Sequence, residues 1–187
     1  MKIALQTFYG GSREKICRLG LAHLFLELQE IIFSVPIAVL NEKQANGAAV
    51  VRKAIDEAFT KAGEWVCQKS GGIDWLKRMK FNTSVVARMG VEIQVSGRSD
   101  MLARDIVHLR NALQAGEIDV GVIVVPSDHF EYFLTDRVAN FTYARRYIEE
   151  EFREAKTFPI VLLGIEHDGH SNTALPKQKT NRSQPKE

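Results

Sequence analysis

Residues 90–97 constrain the fold most, because apolar and polar side chains alternate along them with a period of two. The apolar members are all β-branched, and they are Val91, Ile93 and Val95. Such alternation predicts a strand with one face buried in a sheet. The other face carries a carboxylate, an amide and a hydroxyl, from Glu92, Gln94 and Ser96. Because an unpartnered polar group costs a few kcal/mol to bury, this face is either an exposed sheet edge or a binding surface.

Two further segments predict strands that are covered on both faces. Residues 120–125 are almost continuously apolar and stop at Pro126, and residues 159–165 have a similar composition. The spacing of apolar residues predicts helices from residue 99 or 100 to Gly116 and over residues 140–156. Strands that alternate with helices predict an α/β domain with a central mixed β-sheet flanked by helices. We assign residues 1–167 to this single domain and expect the polar residues 168–187 to form a disordered basic tail.

The remaining sequence predicts shorter elements on either side of this framework. A strand is predicted over residues 2–8, followed by a helix over residues 12–28 with Ser12 as its N-cap. A second helix is predicted over residues 48–61, with Asn46 as a plausible N-cap. Residues 73–77 read as a short strand that carries one acid. Residues 77–88 look irregular, with a turn near residues 82–84 before a hairpin arm that leads into the strand of Glu92.

Composition excludes several classes of protein. The chain has 187 residues, which favours one domain, and its net charge of +2 says little about partners. The two cysteines, Cys17 and Cys67, do not make a disulfide framework or a metal site, and they suit a reducing compartment. No apolar run approaches the length that spans a membrane, and the N-terminus has no secretion-signal pattern. We therefore expect a cytoplasmic protein with no membrane partner.

Two acidic residues lie near the ends of predicted strands. Asp74 lies 18 positions before Glu92, and carboxylates at the ends of adjacent strands can share a hard cation. Mg²⁺ prefers oxygen ligands and usually takes one or two carboxylates. Such an ion lowers the pKa of a bound water and stabilises negative charge on a phosphoryl oxygen. Gln94 projects to the same side as Glu92 and can orient a water, although an amide cannot act as a base.

An acid, a gap and then Glu-x-Lys is the general pattern of the PD-(D/E)xK nucleases, and here glutamine replaces the lysine. Three segments in order resemble the BglII family of type II restriction endonucleases, over roughly residues 40–167. They are Ile-Asp-Trp-Leu-Lys-Arg at residues 73–78, Val-Glu-Ile-Gln-Val-Ser at 91–96 and Phe-Pro-Ile-Val-Leu-Leu-Gly at 158–164. The gap between the two acids is longer than in the family's type member by about one hairpin. Gly97 stands where that member has a base-reading side chain.

The resemblance implies a homodimeric, Mg²⁺-dependent enzyme of restriction-endonuclease-like fold that cuts both strands of a short palindromic DNA site. Asp74 and Glu92 match the family's metal-binding positions. The same two residues and Gln94 match its catalytic positions. Ser96 matches a residue that reads bases, and Asn46 matches an asparagine near the catalytic centre. It also implies a cognate DNA methyltransferase encoded nearby. We expect the apolar face of helix 12–28 or of helix 48–61 to form the dimer interface.

Two alternatives stay open at this point. One is a relative that keeps the fold and binds DNA without cutting it. The other is a repair or phage nuclease without sequence specificity. The intact set of Asp74, Glu92 and Gln94 favours a cutting enzyme over the first alternative.

Local charge suits DNA better than total charge does. Residues 76–110 contain seven basic and three acidic residues, a net charge of +4. Within this stretch we predict DNA contacts from Lys77 and Arg98, and the fork of donors on Arg98 suits guanine. His167, Asp168 and His170 have the composition of metal ligands, but we expect histidines in a tail to bind nothing.

Overall fold

The computed structural model describes residues 1–67, 72–135 and 137–177. A six-stranded mixed sheet runs through its centre in the order β1-β7-β6-β5-β4-β3. Its strands are β1 (Lys2–Phe8), β3 (Val66–Cys67), β4 (Trp75–Phe81), β5 (Ser84–Ile93), β6 (Val120–Pro126) and β7 (Ile160–Glu166). Strands β5, β6 and β7 are parallel, whereas β1, β3 and β4 pair antiparallel to their neighbours. The predicted mixed α/β architecture is confirmed.

Helices cover both faces of the sheet. They are α1 (Ser12–Arg18), α2 (Ala22–Phe33), α3 (Ala48–Ala62), α4 (Met101–Gln114), α5 (Asp128–Phe133) and α6 (Phe141–Arg146). The apolar sides of α2 and α3 pack in one core with Val91 and Ile93, and α4 and α6 pack in a second core with Ile123 and Leu162. Glu92 lies between Val91 and Ile93 and so projects to the α4 side. No helix in the described ranges has the length and hydrophobicity needed to cross a membrane.

The strands predicted on either side of residue 82 are confirmed, but their ends differ from the prediction. Strands β4 and β5 form a hairpin whose tight turn places Asn82 at a φ of 53°. Residues 77–81 belong to β4, with a shift of register between Met79 and Lys80, whereas the sequence predicts irregular chain there. Strand β5 ends at Ile93, and residues 94–97 continue as a loop. The buried strands at residues 120–125 and 159–165 are also confirmed.

Two predicted helices are interrupted. The helix predicted over residues 12–28 breaks between α1 and α2, where Gly20 has a φ of 68°. The N-cap of α1 is Gly11 rather than Ser12. Only the first part of the helix predicted over residues 140–156 is α-helical, and this part is α6, which ends at Arg146. A π-helical turn (Tyr147–Glu151) and a 3₁₀ turn (Ala155–Thr157) follow it.

The ordered chain extends beyond the predicted domain boundary at residue 167. Strand β8 (Gly169–Ser171) pairs in parallel with β2 (Ala38–Leu40) in a small second sheet. The prediction of disorder from residue 168 onwards is therefore wrong for residues 169–171. Its remainder, residues 178–187, lies outside the described residues.

Candidate active site

The hairpin pairing brings Asp74 and Glu92 together. Trp75 pairs with Val91, so the residue before β4 lies opposite Glu92. The Asp74 Oδ2 atom accepts a hydrogen bond of 2.8 Å from the Ile93 amide, and the Asp74 amide lies 3.4 Å from Glu92 Oε2. The 18 residues between the two acids are therefore spanned by the hairpin.

Helix α4 adds two more ligand-type side chains to this pair. Ligand atoms of Glu92, Asp105 and His108 all lie within 4.8 Å of one another. Glu92 is only 3% exposed, and its Oε1 atom has no hydrogen-bond partner among the described residues. His108 Nδ1 is 3.7 Å from that oxygen, beyond hydrogen-bonding distance. An orphaned buried carboxylate oxygen beside further carboxylates fits a divalent cation.

The electrostatics of the cluster penalise its negative charge. Burial, followed by the nearby charges of Asp74 and Asp105, raises the pKa of Glu92 to about 10. Burial also raises the pKa of Asp105 to about 6, against the opposing effect of Arg104. A bound cation would reverse this penalty, because it favours the deprotonated carboxylates.

Arg52, on α3, supplies a positive charge at the rim of the cluster. Its Nη2 atom lies 3.0 Å from Asp74 Oδ1, and its Nη1 atom donates to the carbonyl of Ile93 at 2.5 Å. Its Nε atom pairs with Asp56 at 2.8 Å, and Asp56 also accepts from the indole of Trp75 at 3.0 Å. Arg52 thus holds the Asp74 carboxylate oxygen that does not accept from the Ile93 amide.

Gln94 and Ser96 follow the end of β5. The Gln94 amide still donates to the carbonyl of Val124 at 2.8 Å, so this residue continues the line of the strand. Its side chain is 4% exposed, and Nε2 donates to the carbonyl of Arg98 at 3.1 Å. Ser96 is half-buried in the loop that Gln94 holds, and the side chain of Arg98 is 83% exposed. Among the residues that the structure describes, Arg98 pairs with Asp100 alone, at 3.1 Å.

Lys77, which the sequence predicts as a DNA contact, lies against acidic residues of the protein itself. Lys77 is 8% exposed, and its Nζ atom lies 2.7 Å from both carboxylate oxygens of Glu27 and 3.2 Å from Glu64. The ammonium also lies over the ring of Trp65, 5.8 Å from its centre. Because side chains alternate along β4, Lys77 points toward α2. Its positive charge is therefore paired with acidic side chains of the protein itself.

Asn46, which the sequence predicts near the catalytic centre, forms hydrogen bonds with other parts of the chain. Asn46 is fully buried, and its side-chain Oδ1 accepts from the amides of Leu40 and Leu175 while Nδ2 donates to the carbonyls of Leu40 and Phe133. None of these bonds reaches Asp74, Glu92 or Gln94. The amide instead ties three chain segments together before α3. It does not cap α3, whose N-cap is Gly47.

A cleft of about 680 Å³ adjoins the carboxylate cluster on the α4 side of the sheet. It is lined by Ile73, next to Asp74, and by His108. Arg78 and Arg88 contribute positive charge to its wall, and they face each other across the β4–β5 pair. The cleft therefore places two guanidinium groups, which bind phosphate oxygens well, near the histidine of the carboxylate cluster.

Sequence reasoning missed Asp105, His108 and Arg52 as members of the site. Asp105 falls three residues after Leu102 and four before Leu109, both of them buried. That spacing was a usable signal. Arg52 carries no such signal, because its contact with Asp74 depends on how α3 packs on the sheet.

Comparisons with known proteins point to one group of enzymes. A family model described as restriction endonuclease BamHI matches residues 28–179. The type II restriction enzyme BamHI of Bacillus amyloliquefaciens is 26% identical over 149 residues, which cover 73% of this chain and 67% of that protein. The matched region contains the β4–β5 hairpin, α4 and the strands β6 and β7.

Proposed function

This chain belongs to the BamHI family of restriction endonucleases and is a type II restriction enzyme, and on that premise we propose how its residues cut DNA. The resemblance to type II restriction endonucleases is thereby confirmed, but the BglII family in particular is not supported. A site-specific deoxyribonuclease is favoured over a non-cutting relative or a nonspecific nuclease.

Asp74 and Glu92 would hold Mg²⁺, with Asp105 close enough to assist through its carboxylate. The observation that carries this proposal is the buried Glu92 Oε1 atom, which has no partner in the described chain although Asp74 and Asp105 lie beside it. When bound, the ion would lower the pKa of a water and offset negative charge on the phosphate. Hydrolysis joins a water oxygen to phosphorus, breaks one phosphorus–oxygen ester bond, and passes a proton from the water to the departing oxygen.

We propose that the other residues of the site bind DNA and orient the attacking water. Gln94 is proposed to position the attacking water, since its amide is buried and held by the Arg98 carbonyl. Arg78 and Arg88 are proposed to bind phosphate oxygens of the DNA backbone in the cleft. Ser96 and Arg98 lie on the loop after β5, and we propose that they reach base edges.

We propose a homodimer, because cutting both strands of a palindrome requires two active sites related by a twofold axis. Most apolar residues of α2 and α3 are buried in the chain's own core, whereas Leu26 and Phe33 on α2 are exposed, and the interface predicted on these helices stays a prediction. Sedimentation with and without duplex DNA tests the assembly, and a monomer in both conditions would contradict it. A cytoplasmic location and a cognate methyltransferase encoded nearby stay predictions.

Plasmid digestion with Mg²⁺ tests the proposed function directly. Wild type should give discrete bands, and Glu92→Ala should give none while still binding DNA. Glu57→Ala is the matched control, because Glu57 is an exposed acid on α3 in a 3.7 Å surface pair with Lys53. A smear from wild type would contradict site specificity. Cutting by Glu92→Ala at the wild-type rate would show that the site is misassigned.

A further inference from the structure

A second group of metal-ligand side chains lies at the carboxyl ends of β6 and β7, two strands along from Glu92. It consists of His129, Glu166 and His167, whose ligand atoms all lie within 4.8 Å of one another. His129 Nδ1 is 3.2 Å from Glu166 Oε2, and His167 Nε2 is 3.3 Å from Glu166 Oε1. These separations are close to those between neighbouring ligands around one small ion, because each metal–ligand bond is about 2.0–2.2 Å.

His167 gives an independent reason to expect a ligand. The residue is 5% exposed, and neither of its ring nitrogens has a hydrogen-bond partner among the described residues. A neutral imidazole carries one donor and one acceptor, and burying both without partners is unfavourable. Phe130 and Phe133 pack edge-on against the ring and offer it no hydrogen bond. The unsatisfied nitrogens instead lie beside Glu166 and His129.

Hydrogen bonds hold the Glu166 carboxylate in place, as they usually do for carboxylates that bind a metal ion. Its Oε2 atom accepts a hydrogen bond of 2.6 Å from the hydroxyl of Ser127, and its Oε1 atom accepts from the His167 amide at 3.0 Å. Such outer partners fix a carboxylate in a binding orientation. Asp168 is not available, because it pairs with the N-terminal ammonium at 2.8 Å and accepts from the Ile37 amide at 2.9 Å.

We propose that His129, Glu166 and His167 bind a divalent transition-metal ion of the zinc class. Two imidazoles and one carboxylate are a donor set that Zn²⁺ takes, whereas Mg²⁺ prefers oxygen ligands alone. The ion joins the first turn of α5 to the end of β7. It thereby anchors the segment that carries β8 against β2. This site is separate from the carboxylate cluster and has a structural role.

Calorimetric titration of the chelator-treated protein with Zn²⁺ tests the proposal, and its readout is independent of DNA cleavage. Wild type should bind one ion per chain at this site, with a dissociation constant of about 1 µM or tighter. His129→Ala and His167→Ala should each weaken that binding by at least about tenfold. The side chain of His129 is 63% exposed, so its removal does not disturb the core.

His108→Ala is the matched control, because it removes a histidine from the other cluster and should leave this binding unchanged. The thermal midpoint should rise with Zn²⁺ in wild type and in His108→Ala, and it should rise by less in His129→Ala, where the carboxylate cluster can still bind the ion. The proposal is overturned if no Zn²⁺ binds at about 100 µM. It is equally overturned if His108→Ala removes the binding while His129→Ala keeps it.

Discussion

Asp74 accepts a 2.8 Å hydrogen bond from the amide of Ile93, the residue between Glu92 and Gln94. Arg52 holds the other oxygen of the same carboxylate at 3.0 Å. Asp74 is thus fixed by β5 on one side and by α3 on the other. A group that must meet a phosphate within a fraction of an ångström benefits from such double support.

The first prediction concerns Arg52. Arg52→Met should lower the free energy of unfolding by about 1–3 kcal/mol, because Asp74 and Asp56 both lose a charged partner. It should also slow cleavage, since Asp74 is then held on one side only. Arg52→Lys should recover part of the loss, because one ammonium cannot span both carboxylates and the Ile93 carbonyl. Urea unfolding and single-turnover cleavage measure the two effects.

Lys53→Met is the control for Arg52, because Lys53 is exposed on the same helix in a surface pair. It should change the free energy of unfolding by less than about 0.5 kcal/mol. Equal losses in the two variants would show that Arg52 acts only as surface charge.

The second prediction concerns pH. The pKa of Glu92 is raised from 4.5 to about 10 in the folded chain, chiefly by burial. Between these values the unfolded chain binds fewer protons than the folded chain, so stability without metal should fall as pH rises. Glu92→Gln removes this proton and should be more stable than wild type by at least about 1 kcal/mol near pH 8 without metal. Thermal melts at several pH values measure the difference.

Metal binding should counter this pH effect. Mg²⁺ needs the deprotonated carboxylate, so the Mg²⁺ concentration that gives half-maximal cleavage should fall as pH rises. Each proton displaced per ion gives about a tenfold change per pH unit. A Mg²⁺ requirement that is flat across this range would contradict a protonated Glu92 in the metal-free protein.

The third prediction concerns the arginines of the cleft. Arg78→Ala and Arg88→Ala should each weaken DNA binding and reduce the slope of log affinity against log salt by about 1, as the loss of one phosphate contact does. Lys77→Met is the matched control from the same hairpin, because Lys77 is buried against Glu27 and should leave the slope unchanged. A slope that changes only in Lys77→Met would show that DNA lies on the opposite face of the sheet.

Local sequence pattern predicted the parts of the fold that depend on near neighbours. Period-two alternation identified β5, and a turn near Asn82 implied the hairpin that sets Asp74 opposite Glu92. The direction of a side chain was harder to predict for a charged residue that is buried. Lys77 reads as a DNA contact by charge, but the pleat of β4 turns it inward to Glu27.

Contacts between distant elements were beyond the sequence pattern. Arg52 meets Asp74 only because α3 packs beside the hairpin, and Asn46 meets Leu175 only because the chain returns past β8. Breaks in long helices were also missed, since the apolar spacing continues across Gly20 while the backbone there adopts a positive φ.

The last prediction concerns Gln94, whose amide nitrogen donates to the Arg98 carbonyl at 3.1 Å. This bond fixes the amide beyond the end of β5, on the same side as Glu92. If Gln94 positions the attacking water, Gln94→Ala should reduce the cleavage rate by about 10²–10⁴-fold. Single-turnover cleavage of a short duplex at saturating enzyme measures this rate without interference from product release.

Two further substitutions separate positioning from charge. Gln94→Glu keeps the shape and adds a carboxylate, so it should retain part of the activity with a changed metal preference. Gln94→Lys matches the commoner nuclease pattern, but its longer cation would lie beside Mg²⁺ in a pocket that fits an amide, so it should be poorly active. Wild-type rates in Gln94→Ala would show that Gln94 only supports the loop through Arg98. In that case Asp74 and Glu92 alone would remain as the active-site pair.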